Sequence, residues 1–342
     1  MTDIQKRSVL VIGAGSVGAI AALNLEVGGL ASVTVALRSN YNVVKEQGYT
    51  IESCDHGSLK GFRPSVVRNS IPDIVAENHP PYDYIVLCTK SVPDVGPTLI
   101  DLVKPALPKD NTHTTLVLLQ NGLNIEKTFL ATHPDTVVLS GVSLIGSAEP
   151  SPGYIVQNEP DRLLIGAFPH PSIPSEKASA KAQEFVTLYS AGGKTDCKHS
   201  PNVLHDRWRK LVYNACLNPI CAITGVDSGR IRLADGALDG LVRPAMEEIV
   251  AAAKAVANVE LEEDVVEKVI NTDPLESRAK PSMQQDLEKG NFIEFENLLG
   301  EPLREGKFAG VSMPTLEVLY QIAKAIQWRT QVAKGMIQLP GQ

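Results

Sequence analysis

The sequence predicts an α/β chain whose first half is a doubly wound parallel sheet and whose second half is all helical. Three observations carry this reading. A glycine-rich turn, Gly13-Ala14-Gly15-Ser16-Val17-Gly18, lies between a short apolar run and a helix-forming run near the N-terminus. Apolar runs that end in polar residues then recur at 32–37, 82–90 and 114–122. Beyond residue 195 the strand pattern vanishes and only helical apolar spacing remains.

The first element is Ser8-Val9-Leu10-Val11-Ile12, an apolar strand that feeds directly into the glycine turn. Gly13 permits the tight turn, Gly15 lets a pyrophosphate approach the backbone, and Gly18 allows the following helix to pack against the strand. The helix starts in Ala19-Ile20-Ala21-Ala22-Leu23, so phosphates would sit at its N-terminus, where N–H groups are unsatisfied. A bare G-x-G-x-x-G is common by chance; strand before and helix after make it a dinucleotide site on a Rossmann-type domain. The second strand, 32–37, ends at Arg38-Ser39-Asn40, where an NAD-binding fold keeps an acidic residue for the ribose hydroxyls. A guanidinium suits a 2′-phosphate, so the expected cofactor is NADP (NADPH); the alternative is a solvent-exposed loop arginine.

The segment 49–75 reads as short strands and loops. Strand 82–90 delivers Lys90 to its carboxyl end, and strand 114–122 delivers Asn121. In open doubly wound sheets ligands bind outside the carboxyl ends of strands, so both residues are candidates for the cofactor crevice; each could equally be a plain strand-end loop residue. Residues 137–139 and 144–145 continue the strand pattern, and 153–156 with 162–166 predict a closing hairpin. Pro169-His170-Pro171-Ser172-Ile173-Pro174 is a surface loop, and Ser175 is placed to cap a helix over 176–190. The domain boundary is expected near 195, giving a first domain over 1–195 and a second over 196–342.

In the second half, helices are expected over 202–224, 229–257, 261–271, 282–290 and 313–328. The first carries Lys210, Asn214 and Asn218, which at about 100° per residue form one polar stripe between apolar flanks. A cation in line with two carboxamides makes a proton donor beside two oriented hydrogen-bonding groups; an exposed helix face is the bland alternative. Ser282 could cap its own helix with Gln285 or Asp286, or reach a ligand. Glu294 lies between Ile293 and Phe295, and a carboxylate buried there would need a partner such as Lys210. A nucleotide-binding domain followed by a helical one predicts an active site in the cleft between them.

Composition narrows the classes. The 342 residues are 43% hydrophobic and 21% charged with a net charge of −7, which argues against nucleic acid or an anionic membrane as partner. No signal peptide, transit peptide or long apolar run is present, and Leu339-Pro340-Gly341-Gln342 spells no retention signal, so a soluble cytoplasmic protein is expected. Five cysteines without C-x-x-C spacing read as free thiols. The seven histidines form no ligand pair, so no metal site is expected. The long helix near 229–257 offers a face for a homodimer.

Taken together these residues resemble the ketopantoate reductase family over nearly the whole chain. The resemblance rests on the glycine turn, Cys88-Thr89-Lys90, Gln120-Asn121-Gly122, Ser140-Gly141 with Ser147 and Gly153, and Trp208-Arg209-Lys210 with Asn214 and Asn218-Pro219. Ser282-Met283-Gln284-Gln285-Asp286 with Glu294 completes it. It implies NADPH-dependent reduction of a 2-oxo acid, 2-oxopantoate first, to a 2-hydroxy acid. It also implies Lys210 as proton donor with Glu294, and Asn214, Asn218, Ser282 and Asn121 as substrate ligands. Lys90, Asn121, Ser147 and Glu294 match positions that line the cofactor. Departures fall on the substrate side. After Gly290 the family pattern G-R-P-T-E-I-D-x-L-N-G keeps its glutamate and final glycine but loses its Arg, Thr, Asp and Asn, and the family's later Asn-Gly is Ser228-Gly229. These changes favour, as the rival reading, a reductase of another 2-oxo acid or a dicarbonyl. A 6-phosphogluconate-like dehydrogenase lacks the 282–294 element, and a non-catalytic NADP-binding regulator has no use for the lysine and its carboxamides.

Overall fold

The computed structural model describes residues 5–108 and 111–339. The readings of the two chain ends fall partly on residues 1–4 and 340–342, which lie outside the described residues. The chain divides into two compact units, one of Met1–Ser91, Pro97–Gln120 and Ile125–Val203, the other of Val92–Gly96, Asn121–Asn124 and Leu204–Gln342.

In the first unit, β1 (Arg7–Ile12), α1 (Ser16–Val27), β2 (Ala31–Ala36) and α2 (Tyr41–Gln47) follow the expected order. Then come β3 (Tyr49–Ser53), β4 (Gly57–Phe62), β5 (Val66–Arg68), β6 (Tyr84–Leu87), α3 (Leu99–Val103) and β7 (Thr115–Leu118). They are followed by α4 (Lys127–Thr132), β8 (Val138–Ser143), β9 (Ser147–Ser151), β10 (Tyr154–Gln157), β11 (Arg162–Ala167), α5 (Ser175–Ser190) and β12 (Asp196–His199). The main sheet has the order β12-β11-β8-β7-β6-β1-β2-β5. Strand β1 pairs in parallel with β2 on one side and β6 on the other, which makes it the point where strand order reverses. Its residues Val9, Leu10 and Val11 are fully buried, as a strand covered on both faces requires.

Three local expectations change. Strands β10 and β11 are not a hairpin: β10 joins β4, β3 and β9 in a second, four-stranded sheet, while β11 pairs antiparallel with β8 in the main sheet. Ser175 is the first residue of α5 and makes no side-chain cap; Pro174 precedes it, with its fixed φ of −56°. The boundary near 195 is also too early. Strand β12 pairs in parallel with β11, so the polar run 196–199 still belongs to the sheet and the change of unit falls after Val203. An edge strand of alternating exposure carries too little apolar character to be read from sequence.

The second unit holds α6 (Val203–Asn214, its first residue counted with the other unit), α7 (Leu217–Thr224), α8 (Arg243–Ala257), α9 (Val265–Ile270), α10 (Ser282–Glu288), α11 (Glu301–Phe308) and α12 (Pro314–Ala333). The helix expected over 202–224 is broken at Ala215–Cys216. Pro219 has no N–H, and its ring would clash with the carbonyl of Ala215 four residues earlier, so a new helix starts at Leu217. The helix expected over 229–257 also breaks, into a 3-10 turn at Arg230–Leu233, a π-segment at Leu238–Val242, and α8. Pro244 in the first turn of α8 relaxes the preceding turn in the same way. The π-segment Glu296–Gly300 and α11 are not anticipated from sequence, because Gly300, Pro302 and a run of charged residues mask them. Trp208, Leu211, Val212 and Ala215 point into one apolar core with Ile220, Met246, Ile249 and Leu299.

The cysteines test this packing. Cys54 is exposed, Cys88 is partly buried, and Cys197, Cys216 and Cys221 are buried, all as free thiols. Burial pushes the thiols of Cys88, Cys197 and Cys221 up to about 12, and that of Cys216 well above the ordinary thiol range. Because the thiolate is the reactive form, Ellman's reagent at pH 8 is expected to titrate Cys54 at once. The other four should react only after denaturant is added. Prompt reaction of two or more thiols in the native protein would contradict the packing.

Candidate active site

The glycine turn is built as the sequence requires. Gly13 has φ +87°, and a Cβ there would lie 2.6 Å from Thr89 Cγ2 and 2.7 Å from Thr89 N. At Gly18 a Cβ would fall 2.3 Å from the Gly13 carbonyl oxygen, so α1 and the turn pack with no room for a side chain. At Gly15 a Cβ would meet only Glu149 Oε2, at 3.6 Å, leaving a cradle over the backbone. Helix α1 opens at Ser16 without a side-chain cap, so the N–H groups of its first turn, with Val17 and Gly18, remain for an anion. The Ala14 carbonyl is held by Tyr49 Oη at 2.8 Å and Asn40 Nδ2 at 3.3 Å. Ser16 Oγ donates to the Ser147 carbonyl at 3.4 Å, while the buried Ser147 Oγ has no partner among the described residues. An open glycine cradle, an uncapped helix start and a buried hydroxyl in want of a partner fit a dinucleotide.

Arg38 and Lys90 lie just beyond the carboxyl ends of β2 and β6, the two strands that flank β1. Gly13, Arg38 and Lys90 therefore share one edge of the sheet. Both side chains are exposed. Gln120 ties the ends of β6 and β7 together: its Nε2 donates to the Thr89 carbonyl at 2.8 Å and to Thr89 Oγ1 at 2.9 Å.

In the second unit, Lys210 Nζ donates to Asn121 Oδ1 at 2.7 Å. Asn121 thus belongs with the helices, although the sequence reading put it beside Lys90 at the sheet edge. Its segment is clamped. Leu123 N donates to the Asn297 carbonyl at 2.8 Å and Asn297 Nδ2 donates to the Leu123 carbonyl at 3.0 Å. Arg207 Nη1 donates to the Gly122 carbonyl at 2.9 Å, and Asn124 Nδ2 reaches Glu301 Oε2 at 2.6 Å and Glu305 Oε1 at 2.8 Å. Gly122 has φ +101° and its Cβ position lies 2.5 Å from Asn297 Cβ, so only glycine passes under Asn297.

The other candidates fall on the same unit. Lys210 and Asn214 share α6, but Asn218 enters from α7, so the single stripe expected from one continuous helix becomes two residues from one helix and one from the next. Asn214 is 8% exposed and Asn218 1%, and Asn218 Oδ1 finds no partner among the described residues. A buried carboxamide oxygen without a partner is costly unless a ligand satisfies it. Ser282 is the first residue of α10 and makes no side-chain cap, which removes the capping account of this serine. Helix α10 packs on α7. Glu294 is 4% exposed, so the exposed-face reading fails. Its neighbour Ile293 donates its N–H to Gln327 Oε1 at 3.0 Å, and Gln327 Nε2 reaches Asp94 Oδ2 at 3.0 Å. Ser228, in place of the family's asparagine, donates its Oγ to the Ala279 carbonyl at 3.0 Å, and so serves the chain's own packing. Among the described residues no cluster of three metal-ligating side chains occurs, and no helix is long and apolar enough to cross a membrane.

The chain matches two family profiles, "Ketopantoate reductase PanE/ApbA" over residues 9–170 and "Ketopantoate reductase PanE/ApbA C terminal" over residues 202–327. An uncharacterized protein of Saccharomyces cerevisiae is 37% identical over 96% of both chains. The crystal structure of 2-dehydropantoate 2-reductase from Methylococcus capsulatus superposes with a TM-score of 0.78 at 33% identity, covering 94% of this chain and 97% of that one. The ternary structure of D-mandelate dehydrogenase with NADH and anilino(oxo)acetate shares the fold at 22% identity, with a TM-score of 0.79 and coverage of 95% and 99%. Two profiles that together span both units, and a full-length relative well above 30% identity, establish that this chain belongs to the ketopantoate reductase family, whose members are oxidoreductases.

Proposed function

We propose that the protein is an NADPH-dependent 2-oxo acid reductase, with 2-oxopantoate as first candidate substrate and pantoate as product, acting in pantothenate biosynthesis in the cytoplasm. The observation that carries this reading is the ammonium of Lys210 held 2.7 Å from the Asn121 carboxamide, with Asn214 one turn on. Bound NADPH supplies the hydride that reduces the 2-oxo carbon. Gly13, Ala14, Gly15, Ser16, Val17 and Gly18 would hold its pyrophosphate, Arg38 its 2′-phosphate, and Lys90, Asn121, Ser147 and Glu294 would line the remainder.

Lys210 would donate to the carbonyl oxygen of the substrate and release a proton to it as alkoxide charge develops. Asn121 accepts from the ammonium and would help to direct it without adding charge. Asn214, Asn218 and Ser282 can hydrogen-bond the carboxylate and hydroxyl of a 2-hydroxy acid without adding charge. The unpartnered Asn218 Oδ1 asks for a donor, and a substrate hydroxyl is one. Glu294, buried in the same unit, would keep the lysine protonated and aimed.

A second reading keeps the chemistry and changes the substrate to another 2-oxo acid or a dicarbonyl. Ser228 favours it, because the side chain that stands where the family's asparagine reaches the substrate is tied to Ala279 instead.

Three measurements follow. Lys210→Ala should lower kcat by ~10²–10⁴ with the preferred substrate, the usual contribution of a general acid, and a loss below about tenfold would remove Lys210 from that role. A panel of 2-oxo acids and dicarbonyls assayed with NADPH and NADH decides the substrate: turnover of 2-oxopantoate above all others supports the first reading, and preference for another 2-oxo acid supports the second. Cofactor binding with no turnover of any carbonyl compound would instead indicate a regulator. Asn297→Ala leaves the Leu123 carbonyl without its side-chain donor; it is expected to cost about 1–3 kcal/mol in urea unfolding and to lower kcat more than it raises KM.

A further inference from the structure

Ser282 opens α10 at the end of an irregular stretch, residues 271–281, that leads there from α9. Most side chains of this stretch are exposed, so apolar packing does little to fix it. Yet Arg278 within it has φ +50°, a conformation that a residue other than glycine keeps only where its surroundings impose it.

Polar ties from the rest of the helical unit impose it. Arg232 Nη1 donates to the Asp273 carbonyl at 2.7 Å, and its Nη2 donates to Asn271 Oδ1 at 3.1 Å. Ser228 gives both its N–H and its Oγ to the Ala279 carbonyl, each at 3.0 Å. A Cβ on Gly229 would lie 2.7 Å from the Leu275 carbonyl oxygen, so the stretch rests directly on that glycine. Gln285 Nε2 donates to the Lys280 carbonyl at 2.8 Å, which joins the end of the stretch to α10.

One further tie starts from α6. Tyr213 Oη donates to Asp273 Oδ2 at 2.6 Å. Tyr213 follows Lys210 by three residues and directly precedes Asn214, so it lies on the helical turn that carries both. Burial first, and the charge of Asp273 second, push its phenol well above the ordinary range, so at neutral pH it keeps the proton it donates. A hydrogen bond to a carboxylate is one of the stronger kinds.

We propose that Tyr213 and Asp273 form a latch that fixes where Ser282 stands relative to Lys210 and Asn214. They are positioning residues, acting on the substrate through Ser282. This rests on the reading of Lys210, Asn214 and Ser282 as the site of a 2-oxo acid reductase.

The test joins limited trypsin digestion to kinetics on the full chain. Arg278–Ala279 is a trypsin bond, whereas Lys280 is followed by Pro281 and is not cut. Tyr213→Phe is expected to speed cleavage at Arg278 roughly tenfold and to leave cleavage elsewhere unchanged. It should raise KM about fivefold for the 2-oxo acid that the panel above selects, with kcat within about twofold and KM for NADPH unchanged. Asp273→Ala should behave alike, and the double variant should be no worse than either single one. Asp273→Asn keeps an acceptor for the phenol and should restore both readouts to near wild type.

Cleavage at Arg278 that rises less than about twofold in both Tyr213→Phe and Asp273→Ala overturns the latch. Faster cleavage with an unchanged KM overturns its action on Ser282, and so does a loss spread over kcat, both KM values and Tm. Wild type that turns over no 2-oxo acid overturns the reading of the site and the proposal with it, whatever the variants do.

Discussion

The hydrogen bond from Lys210 to Asn121 ties α6 to the segment 121–124, and the proposed chemistry of the helical unit depends on it. An ammonium on a four-carbon stem has many rotamers, and an acceptor helps to fix it only if the acceptor is itself fixed. Asn121 is fixed because the segment it heads is bound on every side. Asn297 grips Leu123 through both backbone and side chain, Arg207 holds the Gly122 carbonyl, and Asn124 bridges two glutamates of α11. Loss of the Asn297 or the Arg207 side chain leaves a buried backbone carbonyl without that donor, which costs more than the bond itself is worth.

The same segment explains why the helical unit contains irregular turns. The π-segment Glu296–Gly300 carries Asn297 under Gly122, where an added Cβ would collide. Pro302 in the first turn of α11 favours the wider turn ahead of it, since it cannot donate back to the carbonyl of Leu298. The break ahead of Pro219 does comparable work by letting Asn218 enter from a second helix. Two of the departures from regular helix, at Ala215–Cys216 and at Glu296–Gly300, therefore place Asn218 and the clamp residue Asn297.

In the sheet unit the governing fact is the reversal of strand order at β1. Because β2 and β6 flank it in parallel, their carboxyl ends bring Arg38 and Lys90 to the edge where the glycine turn lies. The small sheet adds a group the main sheet lacks: β9 carries Ser147 and Glu149 to the start of α1, so the glycine turn has both a hydroxyl and a carboxylate beside it.

The sequence by itself determined the parallel sheet around Gly13 to Gly18 and the identity of most candidate residues. Local chemistry at those positions admits few alternatives: a φ of +87° and two close backbone approaches need glycine, and buried strands need continuous apolar runs. It was also enough to mark Lys210 with Asn214, because one helical turn fixes their spacing. Tertiary structure alone decided that Asn121 belongs to the helices, that Glu294 is buried, that Ser282 is no cap, and that the polar strand 196–199 extends the sheet. It alone also revealed Asn297 and Glu149, whose partners lie 174 and 109 residues away. No periodicity reports a hydrogen bond between residues so distant in the chain; only the path of the backbone brings them together.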